Sequence, residues 1–159
     1  MKKLTRLSLL TAVALIMFVV EAQVPLPIPL PGVKLGLSNI VTVYCVYALG
    51  PGSALGVLLA RILLGSICTG QLSALAYSLT GGLFALGLAC LLRKRELWFV
   101  SILSGLAHNV GQVLAAMVLT GTPSIAVYLP VLAAAGMAAG LFTGLCAQYL
   151  IKRLKSAEK

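Results

Sequence analysis

A small set of strongly polar side chains interrupts the apolar stretches of this chain, and these residues are the best suited to bind a ligand. They are Glu21, Lys34, Asn39, Arg61, Tyr77, His108, Asn109 and Gln112. A charged side chain at the centre of a bilayer costs about 3 kcal/mol on insertion scales, so such residues need partners and by default mark a site. We therefore take all eight as candidate substrate-binding residues.

The charges in this set predict the kind of ligand. Glu21 can neutralise one of the two cations, Lys34 and Arg61, which leaves a formal charge of about +1 (two positive, one negative) while His108 is neutral. A guanidinium binds a carboxylate or phosphate as a planar fork, and an ammonium binds it as a point charge. His108 and Gln112 are four residues apart and share one helix face. We expect a pocket, open to the outside, for a small organic molecule with an anionic or hydrogen-bonding head.

Six of the eight candidates also have a purely structural interpretation. Glu21 and Lys34 can pin the loop between them, and Arg61 can be satisfied by backbone carbonyl groups at a helix end. His108 can be a hydrogen-bonded core residue, and the two amides that follow it can join neighbouring helices. Both interpretations remain open at the level of sequence.

Catalysis has little support in the sequence. The three acids, Glu21, Glu96 and Glu158, are far apart along the chain, and a DDxxD-type cluster for magnesium and a diphosphate is missing. A GxxxxGK[ST] phosphate loop is also missing, and His108 has no carboxylate nearby in sequence to orient it. Four isolated cysteines without a CxxC spacing support neither a metal site nor a disulfide framework. We predict a protein that is not an enzyme and uses no cofactor or metal.

The elements that position these residues must be membrane helices. The 159 residues are 60% hydrophobic and only 9% charged, and their net charge is +9. Soluble domains carry about a quarter charged residues, so a soluble globule is excluded. Because ten of the twelve basic residues lie at the two termini and at positions 93–95, they indicate the cytoplasmic sides of membrane helices and not a nucleic-acid surface.

Hydropathy predicts an all-α integral membrane protein with a single domain over residues 1–159. The predicted spans are 7–22, 35–49, 53–67, 72–92, 98–119 and 126–151. Between the first two lies an outer proline-rich loop, 23–33, which cannot be helical. Six spans place both termini on one side, and the basic residues make that side the cytoplasm of a multi-pass protein in a bacterial inner membrane. A cleaved signal peptide over 1–22 is the alternative for the first span.

Small residues four apart predict close helix contacts. Gly136, Gly140 and Gly144 form two overlapping GxxxG units on the last helix, and Ser8 with Ala12 forms a similar pair on the first. These positions are predicted to pack helices within the bundle, or alternatively to dock another membrane subunit. Gly81 and Gly82, which follow Tyr77, also let a neighbouring helix approach.

Several segments resemble the family called Gx transporter, or heptaprenyl diphosphate synthase component I. The resemblance is carried by PGVKLGLSN at 31–39 and HNVGQ at 108–112, together with RILLG at 61–65 and YSLTGG at 77–82, and covers about residues 8–150. The family's helices are similar to those of the S components of energy-coupling-factor vitamin transporters, which have six helices and bind a vitamin near the outer face. The resemblance thus implies an S-component-like bundle with loop 23–33 as a lid. In place of an AxxxA docking face, the first helix has Ser8 and Ala12.

The resemblance implies two kinds of partner besides the lipid bilayer. An S component binds a small-molecule ligand and works with a transmembrane subunit and ATPases. The synthase name implies instead a non-catalytic membrane component beside a prenyl synthase subunit, in polyprenyl diphosphate and quinone metabolism. A component of flavin- or quinone-linked extracellular electron transfer, or a scaffold, is a further alternative. The leading prediction is a substrate-binding or transport subunit.

Overall fold

The computed structural model describes residues 2–23, 34, 36–70 and 72–157, and the described part is helical without strands. It contains six α-helices and one 3₁₀ helix. They are α1 (Lys2–Ala22), α2 (Asn39–Ala48), α3 (Pro51–Thr69), α4 (Leu72–Leu91), α5 (Leu97–Thr120), the 3₁₀ helix (Pro123–Tyr128) and α6 (Leu129–Ala157). The proline-rich loop predicted at 23–33 lies outside the described residues except for Gln23.

Four segments are long and apolar enough to cross a membrane. They are Lys3–Ala22, Pro51–Thr69, Leu97–Thr120 and Pro123–Tyr149. Two further apolar helical stretches, Asn39–Ala48 and Leu75–Leu91, are shorter. The chain is therefore a helical, multi-pass membrane protein.

The second helix is shorter than the predicted span 35–49. It begins at Asn39 and has ten residues, so it is about 15 Å long, half of the hydrocarbon thickness. The backbone before it is not helical, because Gly36 has a φ of +85°. This conformation lies outside the right-handed helical region and is accessible mainly to glycine.

The fifth helix packs between α4 and α6, and glycines bring the three backbones together. A Cβ atom on Gly111 of α5 would lie 2.9 Å from Gly81 Cα of α4. On the other side, a Cβ on Gly140 of α6 would lie 2.9 Å from Ile102 Cα, and one on Gly144 would lie 2.8 Å from Trp98 Cα. Close backbone packing of this kind is typical of membrane helices.

The other predicted docking residues lie elsewhere. Ser8 and Ala12 of α1 line an open groove against the start of α3, where Gly52 and Gly56 have nothing within 4 Å of an added Cβ. The groove lies between two helices of the chain.

The start of the first helix and the end of the last helix line one cavity at the same end of the bundle. Arg6 of α1 and Lys152 of α6 line the same cavity, together with Arg95 from the connection between α4 and α5. Three basic side chains thus line the cavity at this end. Its assignment to the cytoplasm remains a prediction from the charge distribution.

Candidate functional site

Glu21, in the last turn of α1, binds the backbone that leads into α2. Its Oε1 atom accepts hydrogen bonds from the backbone N–H groups of Gly36 and of Leu37, the latter at 3.1 Å. Both donors directly precede the first turn of α2, where a negative charge is stabilised by the helix dipole. Glu21 is only 4% exposed, so it fixes the start of α2 from inside the bundle.

Arg61 connects α3 to the same place. Its Nη1 atom donates to Ser38 Oγ, and its Nη2 atom donates to Asn39 Oδ1 at 2.6 Å. The side chain is 1% exposed. The guanidinium is therefore bound by two side-chain oxygens at the start of α2, and not by the helix-end carbonyl groups that were one sequence-based alternative.

Lys34 lies between α1 and α5. Its backbone N–H donates to Gln112 Oε1 at 3.1 Å, and its Nζ atom lies 3.2 Å from the centre of the Phe18 ring. A cation over an aromatic face is attracted by the ring's quadrupole. The ring itself lies directly on Gly65 of α3, where a side chain would collide with it.

Burial lowers the pKa of the Lys34 ammonium from its ordinary 10.5 to about 8. The positive charge of Arg61 lowers this pKa further, whereas the negative charge of Glu21 opposes the shift. Lys34 is thus still mostly protonated at neutral pH.

His108 is held by close backbone contacts from two sides. A Cβ atom on Gly36 would lie 2.6 Å from the Cδ2 atom of its ring, and one on Gly81 of α4 would lie 2.8 Å from its Nδ1 atom. The residue is 2% exposed. Both glycines are therefore required for the imidazole to occupy this position between α4 and the start of α2.

Six of the eight candidates thus lie together. We call them the buried polar cluster, which comprises Glu21, Lys34, Asn39, Arg61, His108 and Gln112. None of the six is more than 4% exposed. The cluster is assembled by four helices and by the backbone that precedes α2.

The unpaired atoms of the cluster are mainly donors. Within the described part of the chain, five nitrogen atoms of the cluster lack a hydrogen-bond partner, and among the cluster's oxygens only one does. The nitrogens are Lys34 Nζ, Asn39 Nδ2, Arg61 Nε, His108 Nδ1 and Gln112 Nε2, and the oxygen is Glu21 Oε2. A buried polar atom left unpaired costs about 1–3 kcal/mol. With two cations and one carboxylate, the cluster suits a group that supplies negative charge and acceptor oxygens.

The structure does not bring the other two candidates into the cluster. Asn109 lies on a different face of α5, where its Nδ2 atom donates to the Leu132 carbonyl of α6 and lies against Gly136. Tyr77 belongs to an apolar cluster with Val113 and Ile125. Asn109 thus joins two helices, as one sequence-based alternative held, and Tyr77 packs in the core.

Three neighbours of the cluster were not among the candidates. Phe18 is three residues before Glu21 and so shares its helix face, a signal that was available in the sequence. Ser38 directly precedes Asn39, but short hydroxyl side chains are common in membrane helices and carry little signal alone. Gly36 contacts His108 across a separation in sequence that no local pattern indicates.

Metal binding has no candidate in the described residues, where no group of three or more His, Cys, Asp or Glu side chains lies together. The cluster has the donor set of an anion site, with amide, ammonium and guanidinium nitrogens.

A comparison with protein families gives one match. The family described as "Heptaprenyl diphosphate synthase component I" matches residues 10–150. The searches of curated proteins and of solved structures gave no match. The family description and the apolar helices together fit a membrane component of a heptaprenyl diphosphate synthase system.

Proposed function

Because the chain belongs to the heptaprenyl diphosphate synthase component I family, we propose that it is a non-catalytic membrane subunit that binds a small organic solute. The solute's anionic group is bound by the buried polar cluster. The observation that carries this proposal is the surplus of unpaired buried donors beside one excess positive charge. A buried cation without a full counter-charge is costly, and an anionic ligand would remove that cost.

The chemistry of the donors narrows the ligand class. A carboxylate or phosphate supplies several acceptor oxygens, and charge-assisted hydrogen bonds to such oxygens are about twice as strong as neutral ones. The Nε atom of Arg61 and the ammonium of Lys34 come from different segments. They would therefore hold two oxygens of one anion from two directions.

The proposed topology gives six spans with both termini in the cytoplasm of a bacterial inner membrane. In this arrangement α2 crosses only part of the bilayer, and its N-terminal end lies at the cluster. Membrane transporters use the N-terminal ends of such interrupted helices for anionic groups of their substrates. The cluster would lie toward the outer face, as the binding site of an S component does.

The test measures retained and added ligand on the purified protein. Native mass spectrometry of the protein in mild detergent should detect a small acidic molecule, which should be lost from the Lys34→Met and Arg61→Met variants. Each lost charge-assisted contact is expected to weaken binding by about 1.5–3 kcal/mol, roughly 10- to 150-fold.

Lys3→Met is the matched control, because it removes an exposed cation from the other end of α1. The proposal is wrong if the two cluster variants, still folded, keep the affinity of the unchanged protein for the retained molecule. It is also wrong if Lys3→Met lowers the affinity equally.

A second candidate is a non-catalytic membrane component that assembles with a soluble prenyl synthase subunit. It is favoured by the family description and by a basic cavity at the other end of the bundle. Affinity purification from the native host distinguishes the two. An S-component role predicts co-purification of a transmembrane subunit with ATPases, whereas the second role predicts a prenyl synthase subunit.

A further inference from the structure

A second cavity lies at the basic end of the bundle, far from the buried polar cluster. We call it the basic cavity; its volume is about 740 Å³, within the range of small-molecule sites. Its charged lining residues are Arg6, Arg95, Glu96 and Lys152, and the rings of Tyr44 and Tyr47 also line it. The lining comes from α1, the end of α2, the start of α5 and α6.

The charged side chains of the basic cavity are mostly positive. Arg6, Arg95 and Lys152 supply three cations against the single carboxylate of Glu96, so the formal charge is about +2 (three positive, one negative). The Oε2 atom of Glu96 accepts a hydrogen bond from Gln148 Nε2 at 3.0 Å. The three cations are exposed, so a ligand's negative charge can reach them.

The rest of the lining is mostly apolar. Leucines of α1 and α5, Leu49 just after α2 and Ile151 of α6 provide hydrocarbon surface beside the rings of Tyr44 and Tyr47. The Tyr47 hydroxyl donates to the Arg95 carbonyl at 2.7 Å, which holds the α4–α5 connection against the end of α2. Tyrosine rings beside basic side chains are typical of the membrane–water interface.

From this combination we propose that the basic cavity binds an amphiphile with a phosphate or diphosphate head and a hydrocarbon chain. Arg6, Arg95 and Lys152 bind the head, because guanidinium and ammonium groups are the usual partners of phosphate. The leucine and tyrosine surface covers the first part of the chain, which then continues into the lipid along the exposed side of Leu9. Isoprenoid diphosphates and anionic phospholipids share this chemistry. The proposal does not depend on the ligand of the buried polar cluster.

The only tryptophan of the chain gives a direct readout. Trp98 follows Leu97 of the cavity wall, and its backbone N–H donates to Gln148 Oε1 at 3.4 Å. Its fluorescence in detergent is followed during titration with farnesyl diphosphate, short-chain phosphatidylglycerol, farnesol and inorganic diphosphate. We expect saturable binding of at least one of the two amphiphiles, and at least tenfold weaker binding of farnesol and inorganic diphosphate.

Variants test whether the named cations form the site. The double variant Arg6→Gln/Arg95→Gln should lower the affinity for the bound amphiphile on the order of tenfold or more, because each charge-assisted contact contributes about that factor. Arg93→Gln is the matched control, since it is an exposed cation in the same connection that does not line the cavity. Circular dichroism and gel filtration check that the variants fold.

The outcomes are distinct. Binding of farnesyl diphosphate alone identifies an isoprenoid diphosphate, binding of phosphatidylglycerol alone identifies a phospholipid, and binding of both supports the shared class. The proposal is overturned if neither amphiphile binds, or if inorganic diphosphate binds as tightly as farnesyl diphosphate. It is also overturned if the folded double variant keeps its affinity, or if Arg93→Gln loses as much.

Discussion

Replacement of Glu21 tests whether its charge, or only its hydrogen bonds, stabilises the protein. In the Glu21→Gln variant, the amide oxygen can still accept from the backbone N–H groups of Gly36 and Leu37, but the negative charge is gone. In the Glu21→Ala variant both acceptor and charge are lost. The two substitutions therefore separate the charge of Glu21 from its geometry.

The hydrogen bonds give the expected magnitudes. A bond to a charged group contributes about 1.5–3 kcal/mol and a neutral one about 0.5–1.5 kcal/mol, so neutralising an acceptor of two bonds should cost about 2–3 kcal/mol. Removing the acceptor leaves two partly buried donors unpaired, which should cost about 3–5 kcal/mol in all. The order of unfolding free energies should be the unchanged protein, then Glu21→Gln, then Glu21→Ala.

Neutralising Glu21 should have opposite effects on stability and on anion binding. The formal charge of the buried polar cluster rises from about +1 to about +2 when Glu21 is neutralised. An anionic ligand should therefore bind the Glu21→Gln variant more tightly, although the free protein is less stable. A cluster with a purely structural role predicts the loss of stability without a gain in affinity.

Chemical unfolding in detergent micelles measures the stabilities, and native mass spectrometry with the retained molecule measures the affinities. Glu96→Gln is the control, because Glu96 is exposed at the other end of the bundle and accepts one hydrogen bond, from Gln148. It should change the unfolding free energy by less than about 0.5 kcal/mol. Equal stabilities of Glu21→Gln and Glu21→Ala would refute the assigned hydrogen bonds, and an unchanged or lower affinity in Glu21→Gln would refute the charge argument.

Two further predictions concern helix packing and pH. Gly140→Ala should destabilise the protein by about 1–3 kcal/mol, because the added Cβ would lie 2.9 Å from Ile102 Cα. Gly52→Ala is the control, because its added Cβ meets nothing within 4 Å, and it should leave the thermal unfolding temperature unchanged or slightly raised. Equal effects of the two substitutions on the unfolding temperature would contradict the close packing at Gly140. Since the pKa of Lys34 is lowered to about 8, anion affinity should fall as pH rises through about 8, whereas Lys34→Met should show no such step. As the pH rises, the folded protein releases this proton before the unfolded chain does, so the free energy of unfolding should increase between about pH 8 and 10.5. If neither the free energy of unfolding nor the anion affinity changes across this range, the lowered pKa of Lys34 is wrong.

Much of the helical architecture follows from local patterns. Long apolar runs, ended by glycine or by basic residues, predict α1, α3, α4 and α5 to within a few residues at most boundaries. The start of α2 was predicted four residues too early, because the apolar run begins before Gly36 and hydropathy does not register a glycine with positive φ. The predicted last span, 126–151, likewise merged the 3₁₀ helix with α6.

The composition of the buried polar cluster could be predicted because polar groups in apolar helices are few. Which of them meet could not, because that depends on how each helix is rotated about its axis. Asn109 is adjacent to His108, but it lies about 100° around α5 and contacts α6 instead. The spacing of His108 and Gln112 placed them on one face, yet their partners Gly36 and Lys34 come from a non-helical segment without periodicity.

The short helix α2 determines how the two proposed sites relate to each other. Its first residue, Asn39, belongs to the buried polar cluster, and its last turn, from Tyr44 to Ala48, lines the basic cavity. On α1, Arg6 of the basic cavity and Glu21 of the buried polar cluster are fifteen residues apart, which is about 22 Å along the helix and beyond the range in which substitutions at independent sites usually couple. One anion cannot bind to both sets of cations at once, so the two proposed sites would need separate ligands. Substitutions at one site should therefore leave binding at the other unchanged, and the effects of Lys34→Met and Arg6→Gln on stability should add.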